Sequence, residues 1–234
     1  MWSDPRNIST AMMYAWHQRS DTAVWDEPMY GHYLVETGID HPDRDLVLAS
    51  VPTDAGDIFY RMTEAPCPAP GYFFKNMAHH LFGFDWSVGG HPDNFLLTRN
   101  PKDQLRSLAE GLGRLPTMQD AAYDVQVRLI DHMVEAGHAP IVVDSRELLV
   151  DPRSVLTQLC TRLGIPFEVA MLKWPAGPKP EDGVWGQHWY ERVHRSTGFD
   201  PHRAGSEQFP DELVEIYEKC APLYDQLMEF AIRT

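Results

Sequence analysis

The sequence predicts an α/β fold, with a parallel sheet covered by helices on both faces. Short β-rich runs that end in polar residues alternate with helical patterns, and the runs are apolar in their middles, as strands buried on two faces should be. The predicted strands are Thr22–Asp26, Gly71–Lys75, Asn94–Thr98 and Pro140–Asp144. A helical run holding Ala11, Met12, Met13, Ala15 and Trp16 precedes the first of them. Asn100 reads as a helix cap with Pro101 as first helical residue. Tyr123, Val127, Ile130 and Val134 recur at helical spacing before Gly137, a left-handed stop. Asp151 and Pro152 open a helix with an apolar stripe of Val155, Leu156, Leu159 and Leu163, and Gly164 ends it. The last helix begins at Pro210 and runs through Leu213, Ile216, Tyr217 and Leu227, with a kink expected at Pro222. Residues 166–208 are proline-rich but carry Trp174, Trp185, Trp189 and Tyr190, so they are expected to form an ordered lid or cap, not a linker.

A length of 234 residues suits one domain over 1–234. With 43% hydrophobic and 23% charged residues, the chain has the composition of a folded globular protein and not of a disordered or fibrous one. The formal net charge is −14, so nucleic acid and anionic membranes are not expected as partners, and an anionic ligand must be caught locally. Cys67, Cys160 and Cys220 are odd in number and lack C-x-x-C spacing, which argues against a disulfide scaffold or zinc module and suits a reducing cytoplasm. No apolar leader or stretch of about 20 apolar residues occurs, so a soluble protein without membrane insertion is expected.

Two segments point to anion binding. Pro5-Arg6-Asn7 forms a turn directly before the first helical run, and Arg6, Ser9 and Thr10 place donors around a helix amino terminus, where unpaired N–H groups and the dipole favour a phosphate-like group. Taken alone the turn reads first as a plain capped helix, since Ser and Thr are common near helix starts. It is not a G-x-x-x-x-G-K-[ST] loop: no glycine occurs before Gly31, and β-branched Ile8 is not expected to adopt positive φ cheaply. The second segment is Arg99-Asn100-Pro101-Lys102-Asp103, at the carboxyl end of a strand, where α/β sheets bind ligands. Arg99 should therefore face the same rim as the first turn. Two such sites suit a doubly phosphorylated ligand.

With these motifs the chain resembles the sulfotransferase family, which moves a sulfuryl group from 3′-phosphoadenosine 5′-phosphosulfate (PAPS) to an acceptor hydroxyl or amine. P-R-N-I-S-T stands where the family has its P-[KR]-S-G-[TS]-[TS] loop, R-N-P-K-D-x-x-x-S resembles its 3′-phosphate motif, and S-R-E-L-L-V-D-P through L-G-I-P-F is similar to a later family segment. The resemblance implies a three-layer α/β/α sandwich with a central parallel sheet, P-loop-like, binding PAPS as co-substrate without a metal. It assigns cofactor contacts to Arg6, Asn7, Ser9, Thr10, Arg99 and Ser107. Ile8 replaces the loop glycine, so a different backbone path is expected there. Only Met1–Ser3 precede the loop, so the first strand is a stub or the chain starts late. The family's R-K-G-x-x-G-x-W loop is missing, and Arg195, Ser196 and Thr197 are the candidates to take over its 3′-phosphate contact.

Sulfuryl transfer needs positive charge, from Arg6 and Lys75, and a base. Glu27, in Asp26-Glu27-Pro28 at a strand end, is the expected base, with Asp26 as the alternative, although an acidic pair there is also a plain solvated strand end. Lys75 matches the lysine of the family's K-T-H segment, which contacts the moving group, while Met77 stands where many members carry a histidine base. His79 and His80 are expected at the surface or in an acceptor pocket, and no histidine set suggests a metal. Trp86, Trp185, Trp189, Tyr190, Tyr30 and Tyr33 line either a core or an acceptor cavity. The acidic balance favours a small neutral hydroxylated acceptor, a metabolite or lipid, over a polyanionic glycan. A non-catalytic nucleotide-binding relative is the alternative function.

Overall fold

The computed structural model describes residues 1–86, 90, 91, 93–201 and 208–234. It is an α/β protein with five strands, β1 (Trp2–Ser3), β2 (Thr22–Asp26), β3 (Gly71–Met77), β4 (Leu96–Thr98) and β5 (Val142–Asp144), and every ladder is parallel. The chain folds as two compact units: Met1 with Thr10–Asp85 and Glu168–Phe199, and Trp2–Ser9 with Trp86–Phe167 and Asp200–Thr234.

In the first unit β2 and β3 pair in the register Thr22↔Gly71 to Asp26↔Lys75, which sets an acid opposite a lysine at the carboxyl ends of both strands. Their apolar neighbours bury Val24 and Phe73, and Trp16 stacks on Phe73 with ring centroids 4.9 Å apart. Between the strands run helices Tyr30–Thr37, Arg44–Ser50 and Ala55–Thr63, which bury Leu34, Val47 and Ile58. None of these helices is singled out by the sequence pattern. The first two lack a side-chain cap, and Asp43, before the second, sits at φ 56 instead of capping it. The expected cap region is ordered: Lys173 pairs with Gly198, and the Gly177 N–H donates to the His194 carbonyl at 2.7 Å. Trp174 and Trp185 are buried within it. Residues 202–207 of the expected lid lie outside the described residues.

In the second unit β4 pairs with both β1 and β5, through Trp2↔Leu96 and Leu96↔Val142. The ladder residues Trp2, Leu96, Leu97, Val142 and Val143 are buried completely, the burial on both faces that their unbroken apolar runs predict. The first strand is a two-residue stub, as its sequence allows. The caps at Asn100 and Asp151 form as predicted, accepting from the N–H groups of Lys102 and Ser154. Gly137 and Gly164 take φ 81 and φ 71 where the helices Tyr123–Glu135 and Pro152–Arg162 end. The last helix starts later than expected, at Val214 after a tighter turn over Asp211–Leu213, and continues through Pro222 to Met228.

Candidate functional site

Each unit carries one cluster of the predicted site residues. In the second unit the turn after β1 departs from expectation. Ile8 does take positive φ, at 60°, and Arg6 does so at 67°, so the loop follows a left-handed path without its glycine. Such a conformation costs a residue with a side chain about 1–2 kcal/mol and persists only where the surroundings impose it. Here hydrogen bonds from three side chains impose it. The buried Asn7 amide donates to the Leu97 carbonyl at 3.3 Å, Gln104 Nε2 donates to the Pro5 carbonyl at 3.2 Å, and Arg99 Nη1 donates to the Arg6 carbonyl at 2.7 Å. Alternating left-handed residues turn backbone N–H groups into a concavity suited to an anion.

The same contacts join the two predicted motifs. Arg6 Nε donates to Ser107 Oγ at 3.0 Å, across 101 positions of sequence, so Arg6, Arg99 and Ser107 lie together on this unit. Tyr123 fixes the Arg99 backbone by donating to its carbonyl at 2.6 Å. The Asn7 side chain faces inward and holds the turn; Ser9 is buried at the start of helix Ser9–His17. Thr10 follows in that helix and belongs to the first unit. Two guanidinium groups, a hydroxyl and a left-handed turn are a donor set that fits phosphate groups, and these are the residues that would hold a nucleotide bisphosphate. Beneath the turn Asp4 is fully buried, and neither carboxyl oxygen has a hydrogen-bond partner. Burial, with Asp124 adding to it, pushes its proton affinity well up.

The first unit holds the other cluster, buried except for a small exposed part of the Glu27 side chain. Lys75 Nζ donates to Asp26 Oδ1 at 2.8 Å, to Glu27 Oε1 at 2.5 Å and to the Tyr190 hydroxyl at 2.6 Å. The strand register brings Asp26 to Lys75, and Glu27 follows at φ 45 with its N–H donating to the Lys75 carbonyl at 2.9 Å. Burial raises the Glu27 carboxyl; the Lys75 charge opposes this and the Asp26 charge adds to it. Burial alone would depress the Lys75 ammonium, but Asp26 and Glu27 hold it above its ordinary range. Gly183 donates its N–H to Asp26 Oδ2 at 3.1 Å, and a Cβ there would collide with the Trp185 ring.

His80 is not at the surface, one of the two places expected for it. It is 2% exposed, lies between the rings of Tyr30 and Tyr33 at 4.9 and 4.7 Å, and its Nδ1 is 3.9 Å from Glu27 Oε2. Burial, then His79, His41 and Lys75, holds it well below the usual imidazole range and therefore neutral. Tyr30, Tyr33, Trp185 and Tyr190 form a packed core cluster, while Trp189 is part-exposed and Trp86 packs under Arg128. Arg195 lies in the first unit, on an exposed ion pair with Glu191, and Ser196 is engaged there with Trp174 Nε1 and the Val193 carbonyl. The sequence reading missed the placement of Tyr190 and Gly183 at the Asp26–Lys75 pair. They reach it from well over a hundred positions away with no periodic signal to mark them. Among the described residues no group of His, Cys, Asp and Glu side chains is placed to hold a metal.

A family model described as a sulfotransferase domain matches residues 1–228. Two Arabidopsis thaliana proteins, named branched-chain-amino-acid aminotransferase-like proteins 2 and 1, are 35% and 36% identical over 97% of this chain. The chain spans 40% of the length of each. Among solved structures, the sulfotransferase domain of the Synechococcus PCC 7002 olefin synthase matches 94% of this chain and 92% of its own, with a TM-score of 0.53 at 18% identity, a likeness of fold. On the family match over nearly its whole length, the chain belongs to the sulfotransferase-domain family.

Proposed function

We propose that this protein transfers a sulfuryl group from PAPS to a hydroxyl of a small-molecule, lipid or sugar acceptor. The observation that carries the reading is the meeting of Arg6, Arg99 and Ser107, from motifs about a hundred positions apart, at one left-handed turn. In this reading Arg6, Ser9, Thr10, Arg99 and Ser107 hold the nucleotide phosphates, with Asn7 holding the turn and Arg195 and Ser196 as further contacts to the 3′-phosphate.

Glu27 is the base and Asp26 is not. Both Asp26 oxygens accept hydrogen bonds, from Lys75, Tyr190 and Gly183, whereas only Oε1 of Glu27 does so. An oxygen without a donor is the one able to take a proton from an acceptor hydroxyl. As the proton leaves, the acceptor oxygen bonds to sulfur, the bond from sulfur to the phosphate oxygen breaks, and 3′,5′-ADP departs. Positive charge from Arg6 and Lys75 stabilises the charge spread over the sulfuryl oxygens. Lys75 has all three protons committed in the resting state, so its contact with the moving group requires exchange of one of them. The acidic balance, −14, favours a neutral acceptor over a polyanionic one, and the odd cysteine set suits the cytoplasm. The alternative of a non-catalytic relative drew on the lost loop glycine, and Ile8 at φ 60 takes that conformation without it.

Calorimetric titration tests the reading. The wild type is expected to bind 3′,5′-ADP with micromolar affinity, Arg99→Ala to lose at least ~10-fold, and Glu27→Gln to bind normally yet yield no sulfated product from radiolabelled PAPS and a panel of hydroxylated acceptors. A wild type that does not bind 3′,5′-ADP overturns it.

A further inference from the structure

We propose that Asp26 is a positioning residue: with Tyr190 it holds the Lys75 ammonium in a cradle of three acceptors, which leaves Glu27 one oxygen anchored and one for the acceptor proton. The inference rests on the sulfotransferase reading of the site and assigns a job to a carboxylate and a phenol that the reaction does not otherwise use.

The hydrogen bonds close almost without remainder. A lysine ammonium has three protons, and Asp26 Oδ1, Glu27 Oε1 and the Tyr190 oxygen, at 2.8, 2.5 and 2.6 Å, take them. The Tyr190 oxygen also accepts from Trp185 Nε1 at 3.0 Å and gives its own proton to Asp26 Oδ2 at 2.8 Å. The Gly183 N–H completes Asp26 Oδ2. Three acceptors give the ammonium one preferred orientation, and its bond to Oε1 biases the Glu27 carboxylate towards the orientation that leaves Oε2 outside the cradle. Among the described residues, Glu27 Oε2 is the carboxylate oxygen of this group to which no side chain or backbone N–H donates.

Charge supports the same division of labour. Two carboxylates against one ammonium leave one negative charge in excess, and since Asp26 is fully hydrogen-bonded the excess is expressed at Glu27. A lone Glu27–Lys75 pair would be neutral and a weaker base. The titratable groups facing Glu27 are Lys75 from β3, Asp26 from β2, His80 just beyond β3, Tyr30 from the following helix, and Tyr190 from the cap. His80 is held neutral by burial, so Asp26 is the charged neighbour that can be neutralised while Lys75 keeps its acceptors Glu27 and Tyr190.

The experiment follows the Glu27 carboxyl by carbon NMR across pH in the nucleotide-free protein, alongside pH–kcat profiles. In Asp26→Asn the Glu27 midpoint and the acid limb of kcat should both move to lower pH by about one unit, and kcat should fall ~10-fold, with 3′,5′-ADP affinity unchanged. In Tyr190→Phe the Lys75 ammonium protons, slow to exchange in the wild type, should exchange faster and kcat should fall. An Asp26→Asn protein with the Glu27 midpoint and acid limb unmoved overturns the proposal. So does one dead at every pH while Glu27→Gln still turns over, which would make Asp26 the base. Should Asp26→Asn fail to fold, Tyr190→Phe decides, and unchanged exchange with unchanged kcat overturns the proposal. A wild type without sulfated product sinks the sulfotransferase reading, whereas the NMR arm still reports on the cradle.

Discussion

Arg6 carries two opposed demands in one residue. Its guanidinium is exposed and bonded to Ser107, where an anion can be met, yet its backbone stands at φ 67, a region that favours glycine. Relieving that strain is worth about 1–2 kcal/mol, less the ~0.5–1 kcal/mol of extra freedom glycine gives the unfolded chain. Arg6→Gly is therefore expected to raise the unfolding free energy by about 0.5 kcal/mol in urea while weakening 3′,5′-ADP binding at least ~10-fold. A variant less stable than the wild type would show that the turn is not strained there. Ile8 makes the same point from the other side. Its β-branch argues against positive φ, and that inference fails because local preference is overruled by bonds from Asn7, Gln104 and Arg99 that no short-range pattern announces.

The helices read to their first residue carry a cap bond at that end, although a cap alone was not enough: Ala55–Thr63, capped by Asp54, was not singled out. β2 was read to the residue, and the helices beginning at Pro101 and Pro152 were anticipated from Asn100 and Asp151, because a cap is a local bond written in adjacent residues. Helices Tyr30–Thr37 and Arg44–Ser50 lack that bond: Met29 gives no sign of a start, and Asp43, a capping type, stands at φ 56 and makes no cap bond. Of the two candidate clusters, Arg99 and Ser107 in one and Glu27 and Lys75 in the other were singled out because each sits in or beside a motif, whereas Tyr190, Gly183 and His80 join the Glu27 cluster through tertiary packing alone. The last helix tests how far packing can overrule a sequence signal. Pro222 is exposed and interior to Val214–Met228, where it removes one backbone bond and crowds the preceding turn. Pro222→Ala should raise the unfolding free energy by about 1–2 kcal/mol, measured by chemical denaturation; a loss of stability would mean that the bend itself is needed for packing.

For the molecule as a whole the carboxylates set the pH at which it is firmest. Burial raises Asp4, Glu27 and Asp144 above their ordinary range, so the stability each allows is complete below the unfolded value of about 4 and is lost as pH rises through the native value. The opposite group is smaller in reach. Arg19 lowers Asp21 and Lys219 lowers Glu215, while Asp120 lies at about 2 because bonds from Arg114 and Thr117 outweigh its burial. Those contributions persist above about 4 and fade only as pH falls through the native values. A net charge of −14 adds self-repulsion that eases toward the pI near 5.1. Burial holds the Met1 amino group and His80 below their ordinary ranges, so as pH falls from ~8 to ~6 the unfolded chain takes up protons that the fold refuses and stability is lost there. The melting temperature should therefore pass through a maximum between pH ~5 and pH ~8, read by calorimetry, and one that climbs without a break from pH ~8 to pH ~4 would contradict the assignment.

One buried amide gives the left-handed turn at Arg6 a distant governor. Gln104 Nε2 divides its two protons between the Pro5 carbonyl and that of Ala121, each at 3.2 Å. Ala121 precedes Ala122, which stands at φ 58 where two helices meet at a corner. Any change in how that corner bends tugs on the carbonyl just ahead of Arg6. Selection can thus adjust the backbone that carries Arg6 from a position outside the turn, and leave Arg6, Arg99 and Ser107 as they were.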